Sequence, residues 1–543
     1  MTFNTSLRAT LSADGHRKRL LLDERPFRVL GGELHNSSSS STRAIRLAFE
    51  SLAGSNINTV LAPVSWFQFE PREGEYDTSL IDELLCVSRE HDLHLIPLWF
   101  GAWKNGRSSY MPPWVRADAE RFPRAELTSG AHREHLSPFS TETAEADARA
   151  FAAFMRHLRA ADANASTVLM VQVENEVGLL GDSRDRSTFA DEHYHSPVPP
   201  RIFSILEDHP SLAVSAAWEK RGRPTRGSWP EVFGESVDTD EAFMATAYAT
   251  HVERVAAAGK AEYPLPMFAN AWLYTQLEVV AGTPAGGQTP GVYPSGGPLP
   301  HLGGIWTSLA PSLDLLAPDI YFGEFHQICR SYSAMSGGLF IPEMRRDEAG
   351  AANAFLAFGS FGAVGVSPFG VDTTPPAEGA AMSDAYSLLA SVSDALFQSP
   401  AFGIHLDDGH THAREALGEF IFSAERDANG IGAPVPHGYG VVIQETDDTF
   451  IIAGRGLILT CQSDSEAAAE LVSVEELTDS DAGLVTERSL NGDETNSGSW
   501  ILLPSLSAQL PSDEYRIPTL RRRQGIVRVK LAHAPRPTPG SVG

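Results

Sequence analysis

Two apolar runs of the sequence each end in a carboxylate. The run LMVQV is followed directly by Glu174, Asn175 and Glu176, and the run LFIP is followed by Glu343. Runs of this kind are typical of buried strands in a parallel sheet. Because an unpaired buried carboxylate is costly, acids at such positions indicate a site that uses them. The alternative interpretation is a surface turn that carries solvated acids.

The elements that must position these acids follow one another regularly along the chain. Strand-like runs alternate with helical ones between residues 28 and 396, which predicts a (β/α)8 TIM barrel, an α/β fold. The predicted strands are Phe27–Leu34, Thr59–Pro63, Leu93–Phe100, the run before Glu174, Leu265–Ala271, Leu315–Tyr321, the run containing Glu343, and Gly362–Phe369. The predicted helices begin at Ala44 and cover Thr78–His91, Thr143–Ala161, Asp240–Ala258 and Ala381–Leu396.

Composition changes on either side of this predicted barrel. Residues 1–27 predict an N-terminal hairpin, and short strands within 397–535 predict a C-terminal all-β, sandwich-like domain. Residues 536–543 predict a disordered tail. Inside the barrel, we expect 181–236 to form short helices over the site and 281–304 to form a Gly/Pro-rich loop. The serines 37–41 predict a loop and a helix N-cap.

Bulk composition excludes several classes of partner. The chain has 543 residues and a formal net charge of -27, which argues against nucleic acid and anionic membranes. No run approaches the roughly 20 apolar residues of a membrane span, and the N-terminus lacks a signal-peptide pattern. The three cysteines are far apart and the histidines lack ligand spacing, so no cofactor and no metal are expected. We expect a cytoplasmic protein, with a homo-oligomer among the open alternatives.

The two strand-end glutamates predict a particular chemistry. In a (β/α)8 barrel, the C-terminal ends of strands four and seven lie across the barrel mouth, where carboxyls about 5 Å apart suit retaining glycoside hydrolysis. Repulsion between like charges raises the pKa of one carboxyl, so that it stays protonated near neutral pH. Strand parity does not decide which acid of the motif faces the site, because Gln172, Glu174 and Glu176 share one face.

The wider motif resembles a known family. The stretch QVENEVG, residues 172–178, is similar to the acid/base motif of glycoside hydrolase family 35, the β-galactosidases, except that Val177 stands where Tyr is usual. Further stretches resemble a bacterial subgroup of that family with a β-rich C-terminal domain: Asn58–Trp66, Tyr293–Pro298, Ala317–Tyr321 and Phe340–Glu343. The resemblance covers most of residues 25–400. It implies that Asn175 binds the sugar 2-hydroxyl, Glu176 is the acid/base, Glu174 supports it and Glu343 is the nucleophile.

Further polar and aromatic residues follow predicted strands at the same end of the barrel. We expect them to bind the sugar through hydroxyl hydrogen bonds or aromatic contact, the alternatives being packing under loops and solvated charge. They are Glu33, Asn36, Trp66, Trp103, Lys104, Asn270, Trp272 and Tyr321. The expected activity is release of terminal β-galactose from a β-galactoside oligosaccharide by a retaining exo-hydrolase. The open alternatives are a β-glucosidase, an endo-glycanase, and a non-catalytic carbohydrate-binding protein with a decayed barrel.

Overall fold

The computed structural model describes most of the chain. The described residues are 9–14, 17–106, 108–130, 132–162, 167–275, 279–280, 283–284, 287–427, 435–464, 468–480, 483–490, 492–505 and 525–534. The predicted tail 536–543 lies outside them, as do parts of the predicted N-terminal hairpin and of the 281–304 loop. The chain forms two compact units. One comprises Met1–Ala53, Ile57–Met344 and Val364–Thr373; the other comprises Gly54–Asn56, Arg345–Ala363 and Thr374–Gly543.

The first unit contains a closed parallel barrel, which confirms the predicted (β/α)8 fold. Over the described residues its eight strands pair in chain order, and the eighth pairs with the first. They are β1 (Val29–Glu33), β2 (Thr59–Ser65), β3 (His94–Phe100), β4 (Val171–Val173), β5 (Met267–Trp272), β6 (Leu315–Ile320), β7 (Phe340–Met344) and β8 (Gly365–Pro368). Nearly every strand residue is buried, because both faces of a barrel sheet are covered.

Helices alternate with these strands along the chain. They are α1 (Thr42–Ser51), α2 (Ser79–Glu90), α3 (Thr141–Ala161), α4 (Val237–Glu262), α5 (Gly303–Leu309), α6 (Phe325–Ser336), α7 (Glu348–Phe361) and α8 (Pro376–Ser391). The Ser41 hydroxyl accepts the N–H of Ala44 and caps α1, as predicted. The last predicted helix begins earlier than expected because Pro376 suits a first helical turn, and it is followed by a separate helix, Ser393–Gln398.

Shorter elements fill the connections. The predicted short helices after β4 are observed as Thr188–Tyr194, Pro200–Asp208, Ala213–Lys220 and Trp229–Phe233. Other short helices are Trp66–Phe69 and Pro113–Ala117, with 3-10 turns at Pro300–Leu302, Val371–Thr373 and Gly492–Thr495. Small antiparallel sheets join Ala9–Asp14, Arg17–Leu22 and Arg25–Pro26, then Arg124–Glu126 and His132–Leu136, then Val279–Val280 and Thr283–Pro284. None of the helices in the described ranges is long and apolar enough to cross a membrane.

The second unit contains α7, α8 and an all-β region. Its strands are β9 (Ala401–Leu406), β10 (His412–Leu417), β11 (Phe420–Arg426), β12 (Gly438–Gln444), β13 (Thr449–Arg455), β14 (Leu457–Ser463), β15 (Ala468–Thr478), β16 (Val485–Leu490), β17 (Ile501–Leu503) and β18 (Ile526–Ala534). Across the described part of this region, they form one antiparallel sheet ordered β9-β12-β13-β18-β15-β16 and a second ordered β10-β11-β14-β17. Both sheets contribute to one hydrophobic core, which confirms the predicted β-rich C-terminal region.

Candidate active site

The backbone turns sharply where β4 ends. Glu174 has a φ of 60° and Glu176 a φ of 42°, in the left-handed region that L residues rarely adopt. Hydrogen bonds hold this conformation: the N–H of Glu176 donates to Asn270 Oδ1 at 2.9 Å, and Glu174 Oε2 accepts the N–H of Trp103 at 2.9 Å. Strain of this kind persists where surrounding contacts fix it, and it is concentrated at functional sites.

Three acids from different strands meet at the C-terminal ends of the barrel strands, forming what we call the rim cluster. Glu176 follows β4, Asp319 lies at the end of β6, and Glu343 lies near the end of β7; one oxygen of each lies within 4.8 Å of the others. The three residues are 9%, 4% and 6% exposed. Lys104 Nζ lies 3.9 Å from Glu176 Oε2 and supplies a positive charge. The oxygen spacing would also suit a divalent cation.

Amide side chains support the rim cluster from β4 and β5. Asn270 Nδ2 donates to Asp319 Oδ2 at 2.8 Å and to Asn175 Oδ1 at 3.0 Å. Gln172 Nε2 donates to the same Asn175 oxygen at 2.6 Å, and Asn175 Nδ2 donates to the carbonyl of Lys104 at 2.7 Å. Since an amide nitrogen carries two hydrogens, Asn175 Nδ2 keeps one N–H that no group of the described residues accepts. The amide orientation is thereby fixed before any ligand binds.

Glu176 and Glu343 differ in their electrostatic surroundings. Burial, followed by the charge of Glu343, raises the pKa of Glu176 to about 8, although Lys104 opposes the shift. Burial also raises the pKa of Glu343, but Lys104 and a hydrogen bond from the Tyr321 hydroxyl both favour its charged form. Glu343 is therefore the carboxyl that ionises, whereas Glu176 keeps its proton near neutral pH. An acid and a carboxylate then face each other across the site.

The remaining charged groups are consistent with this distribution of protons. Burial and the neighbouring carboxylates raise the pKa of both Glu33 and Asp319 well above the ordinary range. Burial lowers the pKa of Lys104, but the surrounding acids outweigh it and the net shift is upward, so the ammonium stays charged. Asp319 also forms a side-chain hydrogen bond with Glu176, which favours the ionised form of Glu176.

A second acid cluster lies behind the first; we call it the support cluster. It consists of Glu174 with Asp147 of α3 and His251 of α4, each offering one atom within 4.8 Å of the others. The N–H of Ala102 donates to Asp147 Oδ2 at 3.1 Å and to Glu174 Oε1 at 3.2 Å, and Trp99 Nε1 donates to Asp147 Oδ1 at 2.9 Å. The carboxyl oxygens are thus bound to groups of the protein itself.

Protonation within the support cluster is divided between its two carboxyls. Burial, the charge of Asp147 and a hydrogen bond to it raise the pKa of Glu174 well above the ordinary range. Burial would raise the pKa of Asp147, but hydrogen bonds with His251 and Glu174 lower it overall. Glu174 therefore carries the shared proton. The pair fixes the backbone of residues 101–104, which carries Lys104.

The structure brings several predicted residues to the rim cluster. Lys104 and Asn270 contact it through the bonds described above, Asn175 hydrogen-bonds both Asn270 and the Lys104 carbonyl, and Tyr321 hydrogen-bonds Glu343. Glu33, at the end of β1, interacts electrostatically with Glu343, Lys104 and Glu176. Trp272 ends β5 half-buried, in register with Asp319 of β6. Asn36 follows β1 half-buried, and no contact joins it to the cluster within the described ranges; its Oδ1 is buried without a hydrogen-bond partner there.

Two predicted aromatic residues lie elsewhere. Trp66 is fully buried, its indole N–H donates to Glu70 Oε2 at 2.6 Å, and its ring meets Trp114 edge-on. Trp103 is fully buried as well, donates to the carbonyl of Leu136 at 3.1 Å and packs on His251. Both side chains pack in the core of the first unit, so the structure does not bring either ring to the rim cluster.

Sequence reasoning did not single out Asp319, Asp147, His251 or Asn105 as site residues. Asn105 hydrogen-bonds Glu176. The sequence position of Asp319 could have identified it, since it is an acid near the end of a predicted strand. Asp147 and His251 lie within helical patterns, where a polar residue resembles one on the helix surface.

Comparisons with known proteins give limited matches. A domain of unknown function, DUF5597, matches residues 382–502, and no curated protein matches the chain. A β-galactosidase from the psychrophilic Marinomonas ef1 is 13% identical, with a TM-score of 0.47 over 68% of this chain and 62% of that one. A β-galactosidase from Bacillus circulans sp. alkalophilus is 11% identical, with a TM-score of 0.46 over 68% and 57%. The β-amylase catalytic domain from Paenibacillus polymyxa is 14% identical, with a TM-score of 0.43 over 65% and 96%.

This chain thus spans 62% of the length of the Marinomonas enzyme and 57% of that of the Bacillus enzyme.

Proposed function

We propose that the chain is a retaining glycoside hydrolase that releases terminal β-galactose from oligosaccharides. The observation that carries the proposal is the pairing of Glu176 and Glu343, whose carboxyl oxygens lie within 4.8 Å across the ends of β4 and β7. Retaining enzymes place their carboxyls about 5–5.5 Å apart, whereas inverting enzymes need roughly 6.5–9.5 Å to admit a water. The opposite protonation of the two groups supports the same mechanism.

The two steps follow from that distribution of protons. Ionised Glu343 attacks the anomeric carbon and forms a glycosyl ester, while protonated Glu176 gives its proton to the departing oxygen. The leaving group departs as a neutral alcohol. Glu176, now ionised, takes a proton from a water molecule, which attacks the anomeric carbon and breaks the ester. Glu343 is released as a carboxylate and Glu176 is again protonated, so no cofactor is consumed.

Neighbouring groups would bind the sugar hydroxyls. The remaining N–H of Asn175 suits the 2-hydroxyl, and the Asp319 carboxyl, which Asn270 holds in place, suits another hydroxyl. Glu33 and the Lys104 ammonium, both buried beside the acid pair, offer further partners. The choice of galactose rests on the resemblance of residues 172–178 to the motif of glycoside hydrolase family 35. A β-glucosidase, an endo-glycanase and a non-catalytic sugar-binding protein are outcomes that the same experiment separates.

The test is hydrolysis of a panel of nitrophenyl β-glycosides by the wild type and by Glu343→Gly, with and without azide. We expect the wild type to cleave the β-galactoside and the variant to lose about 10⁴-fold or more in kcat, because no nucleophile remains. Azide should enter the space left by the carboxylate and yield the α-galactosyl azide. Glu235→Gly, at an exposed bend, is the matched control and should keep full activity.

Each other outcome has a definite meaning. Preference for another glycoside would retain the mechanism and replace galactose as the sugar. Internal cleavage of longer chains would indicate an endo-acting enzyme. Full activity of Glu343→Gly would remove Glu343 as the nucleophile. Sugar binding without turnover of any β-glycoside would establish the binding protein instead.

A further inference from the structure

A cavity of about 420 Å³ opens beside the segments that leave β5 and β6. Its lining includes Leu273, one residue beyond Trp272, and Gly323, two residues beyond Tyr321. The volume lies within the range of roughly 300–1,000 Å³ that small-molecule sites occupy. β5 and β6 lie between β4 and β7 in the barrel. The segments that line the cavity therefore leave the barrel between the strands that carry Glu176 and Glu343.

The lining combines an aromatic ring with hydrogen-bonding side chains. Tyr274 is 48% exposed, and its ring is held by Tyr293 and His301, each at a centroid distance of 5.8 Å. The polar lining includes Gln288, Glu324, Gln327 and Ser331. A partly exposed ring with planar amide and carboxylate groups suits a pyranose, which offers an apolar face for the ring and hydroxyls for the polar groups.

We infer that this cavity binds the sugar of the leaving group, as a second subsite for a neutral hexose. The inference rests on the proposed function, because only a glycosidase has a leaving group to bind. The proton of Glu176 goes to the oxygen that joins the two sugars, so the second sugar lies near Glu176. Tyr332 of the cavity lining interacts electrostatically with Asp319, one oxygen of which lies within 4.8 Å of a Glu176 oxygen. β5 follows β4 directly in the barrel and leads into the cavity.

The charge of the lining restricts the class of sugar further. Glu324 is exposed and lines the cavity, and no Lys or Arg is among the lining residues that the structure describes. A carboxylate repels a uronic acid in the same space, so the subsite selects neutral sugars. Binding in this cavity contributes to kcat/KM only for substrates whose leaving group is itself a sugar.

The experiment compares two substrates with the same glycosyl group, whichever sugar the nitrophenyl panel identifies. One is the β-glycosyl fluoride, whose single-atom leaving group cannot reach the cavity, and the other is a β-linked disaccharide. We expect Tyr274→Ala to lower kcat/KM for the disaccharide about tenfold, because it removes the ring that contacts the second sugar. Turnover of the fluoride should change less than about twofold, which also shows that the variant folds.

Further variants distinguish a role of the cavity lining in binding the second sugar from a general loss of structure. Tyr274→Phe keeps the ring and should keep most of the disaccharide activity. Gln327→Ala, at an exposed position of α6, should lower disaccharide turnover a few-fold, whereas His326→Ala beside it should leave both substrates unchanged. Glu324→Gln should improve cleavage of a disaccharide that ends in a uronic acid, with no effect on the fluoride.

The outcomes distinguish this inference from the proposed function. Equal losses on the fluoride and the disaccharide, or no loss on either, would overturn the second subsite and leave the hydrolase standing. A wild type whose kcat/KM gains nothing when a sugar is the leaving group at matched chemical reactivity would overturn it as well. A wild type that cleaves neither substrate would contradict the proposed function itself.

Discussion

Glu174 and Glu176 lie two residues apart, and yet their surroundings differ. Both are buried, both have a positive φ, and each belongs to a cluster of three groups within 4.8 Å. Glu174 accepts two backbone N–H groups and shares a proton with Asp147. In the rim cluster, Glu176 lies beside Glu343 and a lysine ammonium 3.9 Å away, and its hydrogen-bond partners are the side chains of Asn105 and Asp319.

The difference sets the supporting acid, Glu174, apart from the proposed acid/base, Glu176. Burial of both carboxyls is similar, so burial alone does not identify the site. The carboxyl oxygens of the support cluster accept backbone and indole N–H groups. The rim cluster instead buries its acids beside other charged groups, and this burial and these charges shift their pKa values. The predictions below test this contrast.

Among the changes that test this contrast, replacing Glu176, the proposed acid/base, should have the largest effect. Glu176→Gln keeps the shape of the side chain but removes the proton, so we expect kcat for an oligosaccharide to fall about 10³-fold, within the range that general acid catalysis contributes. Nitrophenol leaves without full protonation, so the loss on a nitrophenyl glycoside should be clearly smaller. Steady-state kinetics with both substrates measure the difference. Equal losses on both would show that Glu176 does not protonate the leaving group.

Removing the ammonium should have the next largest effect. Lys104 lowers the pKa of both Glu343 and Glu176, so Lys104→Met should raise both and move both limbs of the pH profile upward. At pH 7 part of the nucleophile would then be protonated, and kcat/KM should fall about 10- to 100-fold. Lys220→Met, at an exposed helix end, is the control. A uniform loss with unshifted limbs would mean that Lys104 only binds the sugar.

The wild-type pH profile tests the same assignment without a mutation. Glu176 acts in its protonated form and its pKa is about 8, so kcat/KM should decline above pH 8 by about tenfold per unit. The acid limb should follow the ionisation of Glu343, above the ordinary range of a glutamate because burial raises its pKa. A profile that stays flat beyond pH 9 would contradict a protonated Glu176 as the acid.

Much of the barrel was predictable because its strands are buried on both faces. Thr59–Ser65 is buried throughout and forms an unbroken apolar run apart from its end residues. Strand bounds were less accurate: strand five was predicted as Leu265–Ala271 and is observed as Met267–Trp272. In the second unit, His412–Leu417 was not predicted, because most of this strand is exposed and its sequence has no apolar alternation.

Residues of the candidate site were predictable only where they lie at the end of a predicted strand. The abrupt change from apolar residues to acids located Glu176 and Glu343, and the ends of neighbouring strands located Asn270 and Tyr321. Asp147 and His251 lie in the middle of α3 and α4, and only tertiary packing buries them beside Glu174. Trp66 and Trp103 also follow strands, but local sequence does not determine whether a ring faces the barrel mouth or packs beneath a loop.

A substitution in the support cluster should change the stability of the protein more than its activity. Glu174→Gln can still donate to Asp147, but its amide nitrogen cannot accept the backbone N–H that the carboxyl oxygen accepts. The Ala102 N–H keeps its bond to Asp147, so the loss is one shared hydrogen bond, and the free energy of unfolding should fall by about 1 kcal/mol. Denaturant unfolding measures this loss of stability, and Glu50→Gln, at an exposed position of α1, is the control.

Activity of the same variant decides whether the contrast holds. The backbone of residues 101–104 should stay in place, so kcat/KM should remain within about fivefold of wild type, far from the loss expected for Glu176→Gln. The two substitutions make the same chemical change two residues apart on one strand end, which makes them a matched pair. If Glu174→Gln kept its stability and lost activity a thousandfold, Glu174 would take part in the reaction. Hydrogen bonds from backbone N–H groups to both carboxyl oxygens would then not distinguish a supporting acid from a reacting one.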